Sequence, residues 1–271
     1  MGRMGVGLAL SACALAPLPA LAWHTEETPV TDYSAATLNN NEWRLGIFRF
    51  EYGLLDSLQL STFPIFWALK ITNGVVKWRA YETGNHSFSA ELGFFQLKLE
   101  DFIDEADREP GTEYPVIRAV PFTVVATTRQ GDFSFNGGLA FTLVSFSGEV
   151  QDSDLEGVGG ASTIMFKPAI EWRLGETLAL VLEGRVKLVE RYSANVVTTY
   201  TIDEDSELEV HGQGGLEIDG FKGNIALSAF WSWKHLNVRA GLGYGYYAVP
   251  VVNVFVPVVT YFPEFDLYWR F

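Results

Sequence analysis

Histidine is the residue type most often used for proton transfer at neutral pH, and this 271-residue chain holds four of them. A hydrolase needs a His within hydrogen-bond reach of a nucleophile or a carboxylate. Only His211, which follows Ser206 and Glu209, approaches that arrangement, and no zinc spacing, nucleophile elbow or Gly-rich phosphate motif is present. We therefore expect no enzymatic activity, with a hydrolase built on His211 as the least favoured alternative. The other three are His24, His86 and His235.

Charged side chains recur at every second position in several segments, with apolar residues between them. This alternation is typical of a β-strand with one apolar and one polar face. If the apolar face meets lipid, the polar face lines the lumen of a barrel. The predicted lumen-lining residues, of which nine are basic and three acidic, are Lys70, Lys77, Arg79, Glu91, Lys167, Glu171, Arg173, Glu183, Arg185, Lys187, Arg239 and Arg270. Such an interior is either a conduit that favours anions or a plug of ion pairs.

Large aromatic residues fall mainly on the opposite, apolar face of these segments. Trp and Tyr concentrate where a membrane barrel crosses the two bilayer interfaces. The predicted members of these aromatic girdles are Trp43, Trp172, Trp231, Trp233, Tyr244, Tyr246 and Trp269.

Acidic residues dominate the charge of the chain, which is −14 at pH 7. This balance excludes nucleic acid as an expected partner. The densest acidic cluster is Asp203, Glu204, Asp205, Glu207 and Glu209. Its oxygens could collect Ca²⁺ or Mg²⁺ that bridge lipopolysaccharide phosphates, but the sequence has no EF-hand loop. We favour a solvated polar loop and expect no cofactor beyond loosely bound Ca²⁺ or Mg²⁺.

The first 22 residues have the three parts of a secretory signal peptide. Arg3 supplies the positive charge, residues 6–18 the apolar stretch, and Ala20 and Ala22 the cleavage site, so the mature chain would begin at Trp23. A lipobox ending at Cys13 is the alternative, although the apolar stretch before it is short. Because Cys13 is the only cysteine, a chain cleaved after Ala22 has no disulfide and no thiol chemistry.

The chain ends in an alternating strand in which Phe265, Leu267, Trp269 and Phe271 carry the apolar face. With the export signal, this pattern resembles the C-terminal signal strand of Gram-negative outer-membrane β-barrel proteins. The resemblance implies a location in the cell outer membrane, recognition of these four residues by the barrel-assembly machinery, and contact with outer-membrane lipid and lipopolysaccharide. Only helices or closed barrels satisfy the backbone inside lipid, and no later segment is long and apolar enough for a helix. The expected fold is therefore all-β, a closed antiparallel transmembrane β-barrel.

Alternating segments separated by turn residues predict twelve strands, with ten or fourteen as alternatives because the first is weakly patterned. The predicted strands cover 30–38, 43–54 with a bulge near Ile47, 58–71, 75–81, 86–99, 114–128, 132–147, 163–174, 178–191, 225–233, 238–246 and 265–271. Asn73-Gly74 predicts a two-residue hairpin. Residues 194–219 predict a hairpin that prolongs its parent strands.

Bacterial barrels keep both termini in the periplasm, with short turns there and longer loops outside. Counting back from Phe271 predicts outer loops at 73–74, 101–113, 149–160, 194–219 and 250–257. It predicts periplasmic turns near Asp56, Gly84, Gly131, Gly175 and His235.

The predicted organisation is a signal peptide at 1–22, an N-terminal segment with the first strand at 23–41, and the barrel at 42–271. We expect a narrow pore or transporter for small solutes, with a preference for anions. One alternative is a structural or docking barrel with a plugged lumen that binds a partner protein. Another is an outer-membrane lipid-modifying enzyme. The sequence specifies neither the solute, nor the oligomeric state, nor a partner.

Overall fold

The computed structural model describes residues 30–103, 114–150, 155–203, 206–217, 222–233, 235–247 and 259–271. The predicted signal peptide, the start at Trp23 and the predicted loop at 250–257 therefore lie outside the described residues. So does most of the predicted loop at 101–113.

Antiparallel strands make up almost all of the described chain. They are β1 (Trp43–Gly46), β2 (Phe50–Leu55), β3 (Leu58–Thr62), β4 (Ile71–Thr83), β5 (His86–Lys98), β6 (Val116–Gln130), β7 (Phe133–Val150), β8 (Leu155–Arg173), β9 (Leu178–Asp203), β10 (Ser206–Glu217), β11 (Lys222–Trp233), β12 (Leu236–Tyr246) and β13 (Val259–Arg270). A short helix, α1 (Pro64–Ala68), joins β3 to β4, and a 3₁₀ turn (Leu99–Phe102) follows β5.

The sheet closes on itself through β9 and through β1. The long strand β9 pairs with β8 on one side and with both β11 and β10, one after the other, on its second side. Strand β1 pairs with β2 and β13. Since β10 and β11 occupy one position in the wall, the barrel has twelve strands, and the predicted closed antiparallel barrel is confirmed.

Side chains alternate between the two faces of the wall, with apolar residues outside and polar residues inside, which is the reverse of a soluble protein. Leu143 and Trp233 point outward and are more than half exposed, whereas Glu171, Glu183 and Arg239 point inward and are buried. An apolar exterior around a polar interior is the arrangement of a membrane barrel. None of the described residues belongs to a helix that is both long enough and apolar enough to cross a membrane.

One end of the barrel carries tight turns together with the C-terminus, and we call it the tight-turn end. Gly84 and Gly131 sit in two of these turns with φ of +50° and +58°, a region that glycine enters without strain. Phe271 N donates to the Trp43 carbonyl (2.9 Å), and Trp43 N donates to the Phe271 carbonyl (3.1 Å). The other end, which we call the loop end, carries the longer connections. The predicted placement of the tight turns at one end of the barrel is therefore correct.

The predicted first strand at 30–38 is wrong. These residues form no strand; they run inside the barrel, where Ala35 is fully buried and Leu38 nearly so. The first strand of the wall is instead Trp43–Gly46. A turn follows it, in which Gly46 N donates to the Arg49 carbonyl (2.9 Å). The predicted single strand at 43–54 is therefore two strands, and the expected bulge near Ile47 is this turn.

The predicted strand at 58–71 and the hairpin at Asn73-Gly74 are also wrong. Strand β3 ends at Thr62, and Pro64 opens α1, because proline lacks an N–H and favours the first helical turn. Asn73 and Gly74 lie within β4, paired with Phe95 and Phe94.

The loop-end connections contain more strand than the sequence predicted. Strands β7 and β8 pair as far as Val150 and Leu155, so most of the predicted loop at 149–160 belongs to the sheet. Strand β9 continues to Asp203 and pairs with β10, which confirms the hairpin predicted within 194–219.

Candidate functional site

The candidate site is the lumen, and residues 30–42 occupy its tight-turn half. We call this segment the plug. Its side chains are largely hidden from solvent by the surrounding strands, and those less than a tenth exposed include Val30, Thr31, Ser34, Ala35, Ala36, Thr37 and Leu38.

The N-terminal part of the plug is held by carboxylates of β8 and β9. Thr31 N donates to Glu171 Oε1 (3.1 Å), and Thr31 Oγ1 donates to Glu183 Oε1 (2.5 Å). Both carboxylates are less than a twentieth exposed. Glu183 is also paired with Arg239 (2.7 Å), and a hydrogen bond to a charged acceptor is stronger than a neutral one, so Thr31 is anchored to this side of the wall.

The middle and the end of the plug are held by the opposite strands. Ala35 N donates to Thr127 Oγ1 (2.7 Å), and Lys77 Nζ donates to the Ser34 carbonyl (2.7 Å). Leu38 N donates to Gln59 Oε1 (2.9 Å). The backbone groups of the plug are thus satisfied by lumen side chains, which replace the ladder that a strand would use.

The plug leaves the lumen beside Gly53. Asn41 N donates to the Gly53 carbonyl (2.7 Å), and Gly53 N donates to the Glu42 carbonyl (2.8 Å). A Cβ at residue 53 would lie 1.9 Å from the Asn39 carbonyl oxygen, so only glycine allows the two backbones to pass this closely.

Arg44 is the centre of an ionic network below the plug. Its guanidinium contacts Asp32 (2.6 Å), Glu51 (3.0 Å) and Asp266 (3.0 Å). Partial burial would by itself raise the pKa of Asp32, whose side chain is 39% exposed, but the nearby guanidinium groups of Arg44 and Arg49 outweigh this and hold that pKa well below its usual range. Asp32 therefore stays ionised and ties the plug to β1.

A second ionic network crosses the lumen nearer its middle. Arg239 contacts Glu183 (2.7 Å) and Arg185 contacts Glu264 (3.4 Å). Arg185 also donates through Nε to the Tyr33 hydroxyl, which brings the plug into this network. Burial raises the pKa of Tyr33 to about 12, although Arg185 opposes the shift, so the phenol stays neutral.

A small void lies between the plug and the first network. Its volume is about 20 Å³, which is room for a single water molecule. It is lined by Thr31, Asp32, Ala36, Leu38, Arg44, Arg49, Glu51, Gln59, Lys77, Tyr268 and Arg270. The plug and its ion pairs therefore leave little free space at this point of the lumen.

Most of the predicted lumen-lining residues lie on inward-facing strand positions. Lys77, Glu171, Arg173, Glu183, Arg239 and Arg270 are buried there, and Arg79, Glu91, Lys167, Arg185 and Lys187 are half-buried. Lys70 is the exception. It is exposed after α1, with a positive φ, and donates to the Asp101 carbonyl. It precedes β4, which begins at Ile71, so strand alternation does not assign it a face and its predicted place in the lumen stays a prediction.

Six of the seven aromatic residues predicted for the girdles are exposed on the outer face: Trp43, Trp172, Trp231, Trp233, Tyr244 and Trp269. Tyr246 differs. The ammonium groups of Lys187 and Lys222 lie 5.1 and 5.0 Å from its ring centroid. Gly245 before it has a φ of +134°, which breaks the alternation of β12 and accounts for the change of face. The four residues of the predicted assembly signal, Phe265, Leu267, Trp269 and Phe271, occupy outward positions at the end of the chain.

The histidines whose side chains are described have structural partners. His86 Nδ1 is 3.1 Å from Thr128 Oγ1, and His235 Nδ1 is 2.7 Å from the Arg270 carbonyl, with its ring stacked on Phe271. His24 and the side chains of His211 and its acidic neighbours lie outside the described residues. No cluster of three or more potential metal ligands occurs in the described part of the chain.

Sequence reasoning missed six acidic residues of the lumen, two of its arginines and one lysine. The missed residues are Asp32, Glu42, Arg44, Arg49, Glu51, Glu190, Lys222, Glu264 and Asp266. Treating residues 43–54 as one strand hid the pairing of Arg44 with Glu51, which depends on the turn between them. In the last strand, the alternation of Glu264 and Asp266 with apolar neighbours was a usable indication.

No family model and no curated protein matches this sequence. Solved structures match it over most of its length. The translocator domain of the autotransporter NalP from Neisseria meningitidis is 10% identical over 85% of this chain and 86% of that chain, with a TM-score of 0.33. The TodX deltaS2S3 mutant monoaromatic hydrocarbon channel is 11% identical over 86% and 68%, with a TM-score of 0.43. CdiB from Acinetobacter baumannii is 9% identical over 85% and 60%, with a TM-score of 0.34. The geometry of this barrel therefore carries the functional proposal.

Proposed function

We propose that the protein is an outer-membrane channel for small solutes whose lumen is held closed by its own N-terminal plug. The observation that carries the proposal is the insertion of residues 30–42 into the lumen without any strand pairing. The plug is attached by side-chain contacts alone until it reaches Gly53. It can leave the lumen without opening the wall, which distinguishes a removable plug from a packed core.

The energy of these contacts is compatible with release. A single hydrogen bond contributes about 1 kcal/mol net, and one to a charged group about 2 kcal/mol. The plug is therefore held firmly at rest. Binding of a solute or partner could shift it, provided that the ligand favours the open form over the closed one.

The charges of the lumen suit small polar solutes of either sign. Arg44, Arg185 and Arg239 each have a carboxylate partner, which offsets the basic excess that the sequence predicted. Lys167 makes no ion pair with the described residues, and its ammonium lies 5.5 Å from the Tyr33 ring centroid. We therefore propose a weak preference for anions, with Lys167 as its source.

A structural or docking barrel remains the second candidate, favoured by the plug that occupies the tight-turn half. In that case the plug never leaves the lumen. In either case we propose outer-membrane lipid, lipopolysaccharide and the barrel-assembly machinery as partners, and no enzymatic activity.

A reversible cross-link separates the two candidates. Ala35 N lies 2.7 Å from Thr127 Oγ1, so these two neighbouring positions are chosen for a pair of cysteines. We expect the mature Ala35→Cys/Thr127→Cys protein that also carries Asp32→Asn, which loosens the plug by removing its contact with Arg44, to conduct in planar bilayers under reducing conditions and to stop conducting when oxidised. Single-cysteine variants provide the control for effects of oxidation.

A barrel that never conducts, even when the disulfide is reduced and Asp32→Asn loosens the plug, would support the docking candidate. A conductance that persists in the oxidised double variant would show that solutes bypass the plug. Either result would overturn the proposed gating.

A further inference from the structure

The wall of the barrel is much lower on one side than on the other. Strands β1, β2 and β3 have 4, 6 and 5 residues, whereas β8 and β9 have 19 and 26. A strand needs about 9–11 residues to cross the hydrocarbon core of a bilayer. The three short strands therefore close the barrel only at its tight-turn end.

Two long strands stand at the sides of this low wall. Strand β13 pairs with β1 only through residues 268–270 at its end, and β4 pairs with β3 only through residues 75–78. Among the described residues, neither 259–266 of β13 nor 71–74 of β4 has a strand partner on the side of the gap. Four inter-strand spacings separate β13 from β4, or about 19 Å at the base.

Helix α1 stands in this gap and is fastened by Asn73. The amide oxygen of Asn73 accepts from Phe63 N (2.7 Å) and from Thr62 Oγ1 (2.9 Å), and its Nδ2 donates to the Phe63 carbonyl (3.2 Å). None of the residues of α1 is buried. Because α1 is held by side-chain contacts and not by a ladder of backbone hydrogen bonds, it can move more easily than a strand can.

The connections around the gap are apolar where water-exposed loops would be polar. Ile47 and Phe48 in the β1–β2 turn, and Ile65, Trp67 and Leu69 around α1, are 41–51% exposed. Large exposed apolar patches indicate contact with a membrane or a partner. These connections therefore continue the apolar outer surface of the barrel.

An apolar recess lies on the outer face below α1. Its volume is about 510 Å³, within the range of ligand pockets, and Trp43, Tyr52, Leu60, Trp67 and Val76 contribute to its lining. Gly74 also lines it, and a Cβ there would have no atom within 4 Å, so a larger side chain at this position has room to enter the recess. The surface that surrounds the recess faces lipid, so an acyl chain is the occupant that this position supplies.

Aromatic rings continue from the gap to the inside of the barrel. Phe95 points inward from β5, and its ring centroid lies 5.7 Å from those of both Phe63 and Phe66. The guanidinium of Arg49 lies 5.3 Å from the Phe63 ring, which places that ring at the lumen. The inner surface beside the gap is therefore apolar, unlike the ionic networks nearer the tight-turn end.

We propose that the barrel opens sideways between β13 and β4, and that acyl chains of bilayer lipid enter this opening past α1 and reach the Phe63, Phe66 and Phe95 cluster. The channel then has a lipid-side mouth in addition to its axial one. The inference rests on the membrane location in the proposed function but not on conductance.

Contact between lipid and Phe95 can be measured directly. A Phe95→Cys variant of the mature protein, which has no other cysteine if cleaved after residue 22, is labelled with bimane and reconstituted in phosphatidylcholine vesicles. Chain-brominated phosphatidylcholine quenches a fluorophore only on close contact. Bimane at Leu143→Cys, on the outer face of β7, is the positive control. Bimane at Met165→Cys, paired with inward-facing Ala140, is the negative control.

We expect bromolipid to quench bimane fluorescence at residue 95 nearly as strongly as at residue 143. Bimane fluorescence at residue 165 should not change. Adding Asn73→Ala should increase the quenching at residue 95, because α1 loses its fastening. Adding Gly74→Leu should decrease it by filling the recess, whereas Gly137→Leu on the outer face of β7 should not.

The lateral opening would be overturned if bromolipid quenched bimane at residue 95 no more than at residue 165. This holds whether or not the barrel conducts. Quenching at residue 95 that Gly74→Leu and Gly137→Leu change equally would show that lipid reaches the lumen by another route. The faster gel mobility of the unheated, folded barrel confirms that each variant has folded before it is measured.

Discussion

At the scale of single residues, Gly53 determines whether the plug can turn from the lumen into β1. A Cβ at this position would lie 1.9 Å from the Asn39 carbonyl oxygen, which is backbone and cannot rotate away. We expect Gly53→Ala to displace the plug and to cost about 1–3 kcal/mol of stability, the usual range for overpacking. Ala35, fully buried in the closed form, then becomes exposed.

A cysteine introduced at Ala35 reports this displacement through its rate of labelling by a water-soluble maleimide. The rate should be low in the Ala35→Cys protein and should rise when Gly53→Ala is added. Gly74→Ala is the matched control, since its Cβ would meet no atom within 4 Å. Equal labelling in the two backgrounds would contradict the role of Gly53.

The lumen residues show how much of a site can be predicted from the alternation of side chains along its strands. Alternation placed Glu171, Glu183 and Arg239 on inward positions because each lies in a long, regular strand. It did not identify the contacts of Arg44, whose partners Asp32 and Asp266 come from the plug and from the last strand. Ion pairs between distant segments depend on the arrangement of the whole barrel, which alternation along one strand does not contain.

At the scale of elements, the β6–β7 hairpin depends on glycine at its turn. Gly131 has a φ of +58°, and the space around its Cβ position is empty, so backbone strain is the only cost of a side chain. We expect Gly131→Ala to lower the free energy of unfolding by about 1–2 kcal/mol and Gly131→Asn to lower it less, because asparagine tolerates this conformation. Urea unfolding of the reconstituted barrel measures both, with Gly137→Ala as the control within β7. Equal losses for alanine and asparagine would contradict this account.

The elements that the sequence predicted wrongly are those whose neighbours override a local pattern. Asn73-Gly74 has the composition of a hairpin, yet Asn73 instead caps the connection that contains α1. Residues 30–38 have enough alternation for a weak strand, but the wall position they would fill belongs to Trp43–Gly46. The long strands β5 to β9, where periodicity extends over many residues, were predicted with the correct pairing order.

At the scale of the whole molecule, the first and last strands of the wall meet at one of its two shortest seams, the other being β1–β2. Strand β1 pairs with β13 through three residue pairs, whereas β7 and β8 share eighteen. Regions with few hydrogen bonds open first when a protein unfolds, so the β1–β13 seam should separate before the long strands do. The sequence predicted the number of strands correctly, but it could not predict this asymmetry, because strand length depends on where the plug and α1 replace the wall.

Cross-linking the seam should therefore slow unfolding. Leu45 and Trp269 are register partners across it, and Leu143 and Ser162 are register partners between β7 and β8. A disulfide stabilises at equilibrium partly by restricting the unfolded chain, and more so for a longer loop. The 45–269 loop is much longer than the 143–162 loop, so equilibrium stability would favour the seam disulfide whether or not the seam opens first. The unfolding rate is therefore the quantity to measure.

We expect oxidation of Leu45→Cys/Trp269→Cys to reduce the unfolding rate in urea relative to the same variant reduced. Oxidation of Leu143→Cys/Ser162→Cys should leave the unfolding rate nearly unchanged. Equal effects at both sites would mean that the barrel unfolds without first opening at β1, and that the low wall is not its weakest side.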